Sequence, residues 1–392
     1  GAGSAGCVLA NRLSADPSKC VLLIEAGPPD EDSNVHIPAA FSNLFHGKYD
    51  WDFQTVPQDE LAARELYQPR GRVVGGSSSM NAMIYMRGHP RDFDGWAEAG
   101  CEGWDYESVA PYFRKSEGQQ RFRKHPEHGK SGPMIVSDQR SPSPLSRRFV
   151  RAARQLGYEL TRDFNDGDQD GFGLYQVLQK DGRRWSAADA FLHPVVDRPN
   201  LQVWTDTMAR RVGLHDGRAT ELEIERDSTV RTILANREII LSAGAFGSPK
   251  LLMLSGIGPA EHLREHGVEV LRELPGVGQN LQDHLMCAVT RRTSHPDTLD
   301  VAEAFPRVAA NLFNYFVRKR GPFSSNVGEA GGFVRSDDTL EAPDLQYHFA
   351  PGFFLEHGFR NPVNERGYTA GAVVLTPESR GQVRLRNANP KI

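Results

Sequence analysis

Hydrophobic residues in the first part of the chain change from helix-like to strand-like spacing. Residues 4–15 carry one apolar stripe of a helix, formed by Val8, Leu9 and Leu13. The run CVLLIEAG at 20–27 is apolar and then acidic, which is typical of a buried parallel strand. Residues 28–70 are rich in Pro, Asn and Asp and predict a long loop that wraps another part of the protein. The order turn, helix, strand predicts two-thirds of a βαβ unit.

Helical spacing recurs in the middle of the chain. It predicts helices at three places: 105–117, 142–157 and 185–194. Ser186 is expected to cap the third helix, and Pro194 is expected to stop it. A further helix is predicted over about 302–319.

Alternating apolar and polar positions dominate after residue 200. They predict three half-exposed antiparallel strands: LQVWT (201–205), ATELEIER (219–226) and TVRTILA (229–235). An Asp-Gly turn is predicted at 216–217. Residues 237–258 predict a strand, a glycine turn and a helix, with Ser248 as N-cap and Pro249 as first helical residue. More strands are predicted at 344–349, 369–376 and 381–386.

Composition and charge narrow the class of protein. The 392 residues are 39% hydrophobic and 24% charged, which suits a large core. The formal net charge of −4 gives no indication of a nucleic-acid partner. No apolar run reaches the ~18 residues that span a bilayer, so no transmembrane segment is predicted. The four cysteines have no metal-binding spacing and are predicted to be reduced: Cys7, Cys20, Cys101 and Cys287.

The chain opens on GAGSAG, a G-x-G-x-x-G pattern. In such a turn Gly1 permits the tight bend and Gly3 lets the backbone approach a pyrophosphate, while Gly6 lets the helix pack on the sheet. Ser4 begins the helix, whose free N–H groups and partial positive charge favour phosphate. Glu25 ends the following strand and can accept hydrogen bonds from ribose hydroxyls, which argues against NADP. The pattern predicts dinucleotide binding but leaves NAD and FAD open; the alternative is an ordinary glycine turn beside an exposed Glu.

A second glycine-rich segment, GRVVGGSSSMNAM at 71–83, lies between apolar flanks. Because of these flanks it is predicted to be buried, and its N–H and O–H donors then need partners. Such a loop can lie against phosphates or a polar ring system, and Asn81 adds a donor and an acceptor. A flexible surface turn is the alternative interpretation.

Four segments resemble one family, the glucose–methanol–choline (GMC) oxidoreductases, and the resemblance covers essentially the whole chain. Residues 71–94, GRVVGGSSSMNAMIYMRGHPRDFD, resemble its first signature, and 244–258, GAFGSPKLLMLSGIG, resemble its second. LPGVGQNLQDH at 274–284 is also characteristic. DGFGLYQVLQKDGRRWSAADAFL at 170–192 is most similar to FAD-dependent alcohol dehydrogenases that use an acceptor other than oxygen, with choline dehydrogenases as near neighbours.

The resemblance implies an α/β, Rossmann-like FAD-binding domain that is discontinuous in sequence. It also implies an α+β substrate-binding domain with an antiparallel sheet. The expected FAD-binding parts are 1–140 and 198–290. The expected substrate-binding parts are 141–197 and 291–392.

Cofactor contacts follow from the resemblance residue by residue. The pyrophosphate would be held by Gly1, Gly3, Ser4 and Gly6, and the ribose by Glu25. The flavin would be lined by Val73, Gly75, Gly76, Ser77, Ser78, Asn81, Ala82 and Met83. Further contacts would come from the backbone of Ala209 beside the adenine and from Gly244 and Ala245. Some relatives attach FAD through a His just before the signature Asn; because that position is Met80, non-covalent FAD is expected.

Catalysis in the family depends on a His paired with a second His or an Asn, within a C-terminal motif of the type H-P-x-G-T-C. The last histidine of this sequence is His357, and its surroundings do not match. No catalytic residue and no metal ligand is therefore predicted, and we expect a fragment truncated at both ends that is inactive alone. His284 is interpreted as structural, whereas His348 lies on a predicted strand and is a candidate to face the substrate pocket.

The resemblance implies FAD-dependent oxidation of a primary alcohol to an aldehyde, with electrons passed to a quinone or another non-oxygen acceptor. Choline dehydrogenase is the alternative within this class, although no aromatic or acidic box for a quaternary ammonium is evident. A non-catalytic flavin-binding fragment is the alternative from another class. The expected location is cytoplasmic, or peripheral to the inner membrane.

Overall fold

The computed structural model describes residues 1–302, 306–362 and 365–392. Its helices are α1 (Ser4–Leu13), α2 (Ser33–His36), α3 (Pro90–Glu98), α4 (Tyr106–Ser116), α5 (Pro144–Gln155), α6 (Gly244–Leu254), α7 (Ala260–Glu265) and α8 (Arg307–Arg318). Its strands of three or more residues are β1 (Val21–Ile24), β2 (Glu117–Gln119), β3 (Met134–Asp138), β4 (Gly171–Leu174), β5 (Leu201–Trp204), β6 (Thr207–His215), β7 (Arg218–Arg226), β8 (Thr229–Leu234), β9 (Leu285–Arg292), β10 (Ala330–Val334), β11 (Leu345–Ala350) and β12 (Gly367–Val374). Two-residue strands are Phe53–Gln54, Tyr67–Gln68, Gln176–Val177, Gln179–Lys180, Arg183–Arg184, Ile257–Gly258 and Arg272–Glu273.

The first layer is built from α1 and a parallel strand pair. β1 pairs with β5 in parallel, from Val21 opposite Leu201 to Ile24 opposite Trp204. The antiparallel prediction for 201–205 is therefore wrong. The chain reaches β5 through a helical crossover, and such a crossover returns a strand in the same direction as its partner. A four-residue alternation of apolar and polar positions does not indicate the direction in which a strand pairs with its neighbour.

The crossover before β5 is irregular. A π-helix covers Ala188–Leu192, and a 3₁₀ turn follows at His193–Val195. Ser186 caps this segment as predicted, because its Oγ accepts a hydrogen bond from the Asp189 N–H at 3.2 Å. Pro194 does not stop it but lies within the 3₁₀ turn, where the missing N–H costs little.

Small and apolar residues form the core beneath α1. Ala2, Cys7 and Ala10 from the first turns pack against Leu23 of β1 and Leu201 of β5. Further members of this buried cluster are Val74, Ala187, Ala188, Ala190, Phe191, Leu192 and Val195. The glycine-rich 71–83 segment thereby joins the core that carries the first helix.

A three-stranded antiparallel meander, β6-β7-β8, precedes α6. The strand predicted at the start of 237–258 is absent, because no neighbouring strand of the described chain pairs with this segment. α6 begins at Gly244, earlier than the predicted start at Ser248. The Ser248 hydroxyl instead accepts a hydrogen bond from the Ala243 N–H at 3.1 Å, so it ties down the residue before the helix.

The second layer is a five-stranded antiparallel sheet in the order β9-β12-β11-β10-β4. α5 packs on one face, where the Phe149 and Phe349 rings stack with centroids 4.6 Å apart. Phe349 and Phe353 are both buried. The strand predicted at 381–386 is reduced to a single bridge between Leu281 and Gly381, because the segment leaves the sheet.

The last described segment packs on α6 and α7 instead. Leu385 is buried with Met253, Leu254 and Leu263, and its N–H donates to His262 Nε2 at 3.0 Å. Among the described helices, none has the length and apolar character that crossing a bilayer requires.

Candidate cofactor-binding site

A groove of about 530 Å³ lies between α1, β1, the start of β6 and α6. Its volume falls in the range of small-molecule and cofactor sites. The site residues expected from the sequence that line it are Gly1, Gly3, Ser4, Glu25, Gly76, Ser77, Ala209, Gly244 and Ala245. The topology thus brings together residues from five places in the chain, at 1–4, 25, 76–77, 209 and 244–245.

Two glycines at the groove, Gly6 and Gly76, have no room for a side chain. A Cβ on Gly6 would lie 1.9 Å from the Gly1 carbonyl oxygen, so the helix could not start where it does. A Cβ on Gly76, whose φ is +56°, would lie 2.7 Å from Gly3 Cα. Gly3 is different, because a Cβ there would meet no protein atom closer than 3.9 Å. The open space at Gly3 is room for a ligand.

The N-terminus of α1 is a site for an anion. Its N-cap, Gly3, supplies no side-chain hydrogen bond, and the first turn contains no acidic residue. The first N–H groups of a helix have no partner within the helix, and its dipole adds partial positive charge. Free donors therefore face the groove at Ser4, as phosphate binding requires.

Glu25 is the acidic residue among those that line the groove. It is 5% exposed, and its carboxylate accepts hydrogen bonds from the Ala2 N–H at 2.8 Å and the Gly27 N–H at 3.0 Å. Burial raises the pKa of this carboxyl, and the two amide hydrogen bonds oppose the rise. Each carboxylate oxygen has a further lone pair, so hydroxyl donors such as those of a ribose would complete its bonding.

The other expected site residues lie beside the groove or beneath it: Gly6, Val73, Gly75, Ser78, Asn81, Ala82 and Met83. Val73 is fully buried in an apolar cluster, and Met83 is 1% exposed. Ser78 Oγ donates to the Gly75 carbonyl at 2.6 Å and accepts from the Ala187 N–H at 3.0 Å. Through these two hydrogen bonds Ser78 holds the shape of the turn.

A buried arginine that the sequence did not single out fixes Asn81. Arg184 NH1 donates to Asn81 Oδ1 at 2.9 Å and to the Ser78 carbonyl at 3.1 Å, and burial lowers the pKa of Arg184 to about 9. The Met83 N–H donates to the same Asn81 oxygen at 3.0 Å. Because the amide oxygen is taken, the Asn81 NH₂ group is oriented as a donor.

Neither His284, interpreted as structural, nor the candidate His348 lines the groove. His284 is exposed, directly before β9. His348 is half-buried on β11 with its ring 5.7 Å from that of Tyr175. Burial, with a smaller contribution from His284, lowers the pKa of His348 to about 4. A histidine with that pKa is neutral at pH 7 and is a poor proton acceptor.

Sequence reasoning missed the five aromatic and basic side chains that line the groove: Trp51, Phe53, Arg70, Phe246 and Lys250. The Trp51 and Phe53 rings stack at 5.9 Å, and Phe53 meets Phe246 edge-on at 5.6 Å. Three of the five belong to the 28–70 segment, which the sequence predicted only as a wrapping loop. The aromatic pair in DWDF at 50–53 was the available signal.

The family comparison decides the class of protein. Residues 1–286 match the family model described as GMC oxidoreductase. The chain belongs to the GMC oxidoreductase family. It is 46% identical over 398 residues to an alcohol dehydrogenase [acceptor] of Pseudomonas putida, covering 100% of this chain and 71% of that protein. It is 43% identical over 403 residues to mouse mitochondrial choline dehydrogenase, covering 100% of this chain and 67% of that protein.

Two solved oxidase structures share the architecture of this chain. Pyridoxine 4-oxidase from Mesorbium loti matches with a TM-score of 0.86 and 33% identity, covering 99% of this chain and 73% of that one. A formate oxidase variant from Aspergillus oryzae matches with a TM-score of 0.89 and 28% identity, covering 100% and 74%. The predicted fold, an α/β FAD-binding part with an antiparallel substrate-binding part, is confirmed. FAD is the cofactor, and the free amides at α1, the open cradle at Gly3 and the Glu25 carboxylate fit it.

Proposed function

We propose that this GMC oxidoreductase oxidises a primary alcohol to an aldehyde and passes the electrons to a quinone or another non-oxygen acceptor. The observation that carries the proposal is 46% identity, over the whole chain, to an alcohol dehydrogenase [acceptor]. FAD supplies the hydride acceptor for such an oxidation. The FAD-binding and substrate-binding boundaries at 140, 197 and 290 belong to the same proposal.

The residues of the chain have distinct tasks in this proposal. Backbone amides at Gly3 and Ser4 hold the diphosphate, and the Glu25 carboxylate accepts hydrogen bonds from the ribose. The donor group of Asn81, fixed by Arg184, is directed to the flavin ring together with Ser77 and Ala82. Gly244 and Ala245 approach the cofactor from α6, and the backbone of Ala209 meets the adenine. No proton acceptor is assigned among the histidines, because no histidine of the described chain lines the groove.

Anaerobic reduction of bound flavin tests the proposal. Primary alcohols of increasing chain length are added without oxygen to the FAD-loaded full-length protein, since the 392 residues alone are expected to be inactive, and the visible flavin band is followed. Bleaching, followed by recovery when a quinone is added, is the expected result. If FAD binds and no alcohol bleaches it, the chain is a non-catalytic flavin-binding protein and the dehydrogenase proposal fails.

Choline is the second candidate substrate, because mouse choline dehydrogenase is 43% identical over the whole chain. A quaternary ammonium needs an aromatic or acidic box, whereas a medium-chain alcohol needs an apolar pocket. Comparing kcat/KM for choline and for 1-octanol separates the two, and we expect 1-octanol to be preferred. A preference for choline would replace the first candidate with the second.

We also propose that FAD is held without a covalent bond. The supporting observation is Met80, which is 3% exposed and packs with Val35, Leu44, Tyr49 and Val73 instead of facing the groove. After acid precipitation, the yellow flavin is expected in the supernatant. Flavin that stays in the pellet would show a covalent link and contradict this proposal.

A further inference from the structure

Two cations that line the FAD groove have no carboxylate partner. No carboxylate oxygen of the described chain lies within ion-pair distance of the Arg70 guanidinium or the Lys250 ammonium, although many other basic residues form such pairs. The nearby Asp50 carboxylate accepts a hydrogen bond from the Arg70 backbone N–H at 3.0 Å and does not pair with the guanidinium. The Arg70 guanidinium makes one hydrogen bond, from NH1 to the Pro69 carbonyl at 2.7 Å. Half-buried cations without counter-ions are unusual, because burial disfavours an unpaired charge.

Aromatic rings hold both cations in place. The Arg70 guanidinium lies 4.5 Å from the centre of the Phe246 ring, and the Lys250 ammonium lies 6.0 Å from the centre of the Trp51 ring. Contact with a ring face positions a cation without neutralising its charge. Burial alone lowers the pKa of Lys250, with no carboxylate to oppose it. Both side chains are therefore positioned but electrostatically uncompensated.

The chain path places Arg70 next to the phosphate cradle. A Cβ on Gly71 would lie 2.3 Å from the Gly76 carbonyl carbon, and one on Gly76 would lie 2.7 Å from Gly3 Cα. Gly71, next to Arg70, therefore lies against Gly76, and Gly76 lies against Gly3, the N-cap of α1. Lys250 approaches from α6 on another wall of the same groove.

We propose that Arg70 and Lys250 clamp the diphosphate of FAD between them, and that Phe246 and Trp51 are positioning residues for the two cations. The lining holds two side-chain cations and one side-chain carboxylate, that of Glu25, whose oxygens already accept two amide hydrogen bonds, so positive side chains are in excess. A diphosphate supplies the missing negative charge, and guanidinium and ammonium donors suit its oxygens. The proposal concerns cofactor binding and does not depend on which alcohol is oxidised.

Binding to the flavin-free chain tests the clamp without any activity measurement. The dissociation constants of FAD, ADP and adenosine are measured by calorimetry for the wild type and for Arg70→Met and Lys250→Met. Each Met variant is expected to weaken FAD and ADP by about tenfold or more, with adenosine changed less than about twofold. The dependence of ADP binding on salt is expected to become shallower in both variants.

Matched variants keep the test decisive. Lys115→Met, an exposed lysine on α4 away from the groove, is expected to leave all three constants unchanged. Arg70→Lys and Lys250→Arg retain the positive charge that attracts a phosphate, and each is expected to weaken ADP binding less than the corresponding Met variant. Trp51→Leu is expected to weaken ADP and Trp51→Phe to preserve it, because the ring face does the positioning.

Two results would overturn the proposal. Unchanged ADP affinity in both Met variants would show that the cations do not meet the diphosphate. Equal weakening of ADP and adenosine would assign the two residues to the adenosine part of the groove. If a Met variant fails to fold, as judged by circular dichroism, the charge-retaining variants decide, because loss of ADP binding in those folded proteins would also contradict the clamp.

Discussion

At the scale of single residues, glycines shape the cofactor groove by different physical limits. Gly6 and Gly76 are required because backbone atoms occupy the space where a Cβ would lie. Gly3 is required for another reason, since its Cβ would enter the open groove. In the GAGSAG pattern, Gly6 is therefore required for folding, whereas Gly3 leaves space for the ligand.

Gly3→Ala is expected to keep the fold and lose the cofactor. Its φ of −76° suits alanine, and no protein atom lies within 3.9 Å of the new Cβ. We expect a melting temperature within about 2 °C of the wild type and an FAD dissociation constant raised about tenfold or more. Gly6→Ala, where the Cβ would lie 1.9 Å from an oxygen, is expected to destabilise the apoprotein by about 2 kcal/mol or more. Wild-type FAD affinity in Gly3→Ala would contradict this division.

A buried ionic network at His128 gives a pH dependence of stability. His128 lies between Glu117, at 2.9 Å from Nδ1, and Asp163, at 2.7 Å from Nε2. Arg87 NH2 lies 2.6 Å from the same Glu117 carboxylate. Burial disfavours the charged imidazolium, but hydrogen bonds to Asp163 and Glu117 outweigh it and raise the pKa of His128 from 6.5 to about 9.

Because the folded-state pKa is the higher one, the contribution of His128 is complete below about pH 6.5 and is lost as pH rises through about 9. The shift corresponds to roughly 3 kcal/mol of unfolding free energy. We expect urea unfolding to show this decline for the wild type between pH 6.5 and pH 9.5, relative to His128→Gln. His193 also titrates, but it is present in both proteins, so its contribution cancels when the two pH profiles are compared. Parallel pH profiles for the two proteins would contradict the prediction.

At the scale of elements, α5 covers one face of the five-stranded sheet by means of aromatic stacking. Phe349 is 4% exposed, and its ring lies 4.6 Å from that of Phe149 at an interplanar angle of 14°. Neither Phe149 nor Phe349 lines the FAD groove. Stability of this layer and affinity for the cofactor are therefore separable.

Phe349→Ala is expected to lower the unfolding free energy by about 3–5 kcal/mol, because it leaves a cavity under α5. Phe349→Leu retains most of the volume and is expected to cost about 1 kcal/mol. Urea unfolding measures both, and FAD titration of the folded variants is expected to give the wild-type dissociation constant. Weaker FAD binding in folded Phe349→Leu would show that the two layers are coupled.

At the scale of the whole molecule, the segment 381–392 ties distant parts of the chain together. Leu385 packs with Met253 and Leu263, and Pro390 lines the FAD groove. Lys391 Nζ lies 2.5 Å from Glu225 on β7. The apolar contact is buried, whereas the Lys391 side chain is 56% exposed.

Leu385→Ala is expected to lower the unfolding free energy by about 3 kcal/mol and to speed proteolysis within 381–392. Lys391→Met removes an exposed ion pair and is expected to change stability by less than about 1 kcal/mol. Limited trypsin digestion and urea unfolding measure the two effects. A larger loss in Lys391→Met than in Leu385→Ala would reverse the proposed order of the two contacts.

Local patterns in the sequence determined much of this protein. Apolar spacing predicted α1, β1, α4, α5 and α8, because each buries one face or stripe against a core. The glycine pattern predicted the cradle, since only glycine permits backbone atoms to lie so close. α3 was missed although Pro90 and a capping box of His89 and Asp92 mark its start, because the segment was interpreted as part of a signature.

Tertiary structure alone decided the direction of β5, the absence of strands at the start of 237–258 and at 381–386, and the lining contributed by Trp51, Arg70 and Lys250. A strand exists only where a partner offers hydrogen bonds, and a short alternating segment does not name its partner. A groove residue is defined by what lies opposite it in space, and residues 51 and 250 meet only after the whole chain has folded. Local spacing therefore determined the elements and the cradle, whereas pairing and the charged walls of the groove depended on long-range contacts.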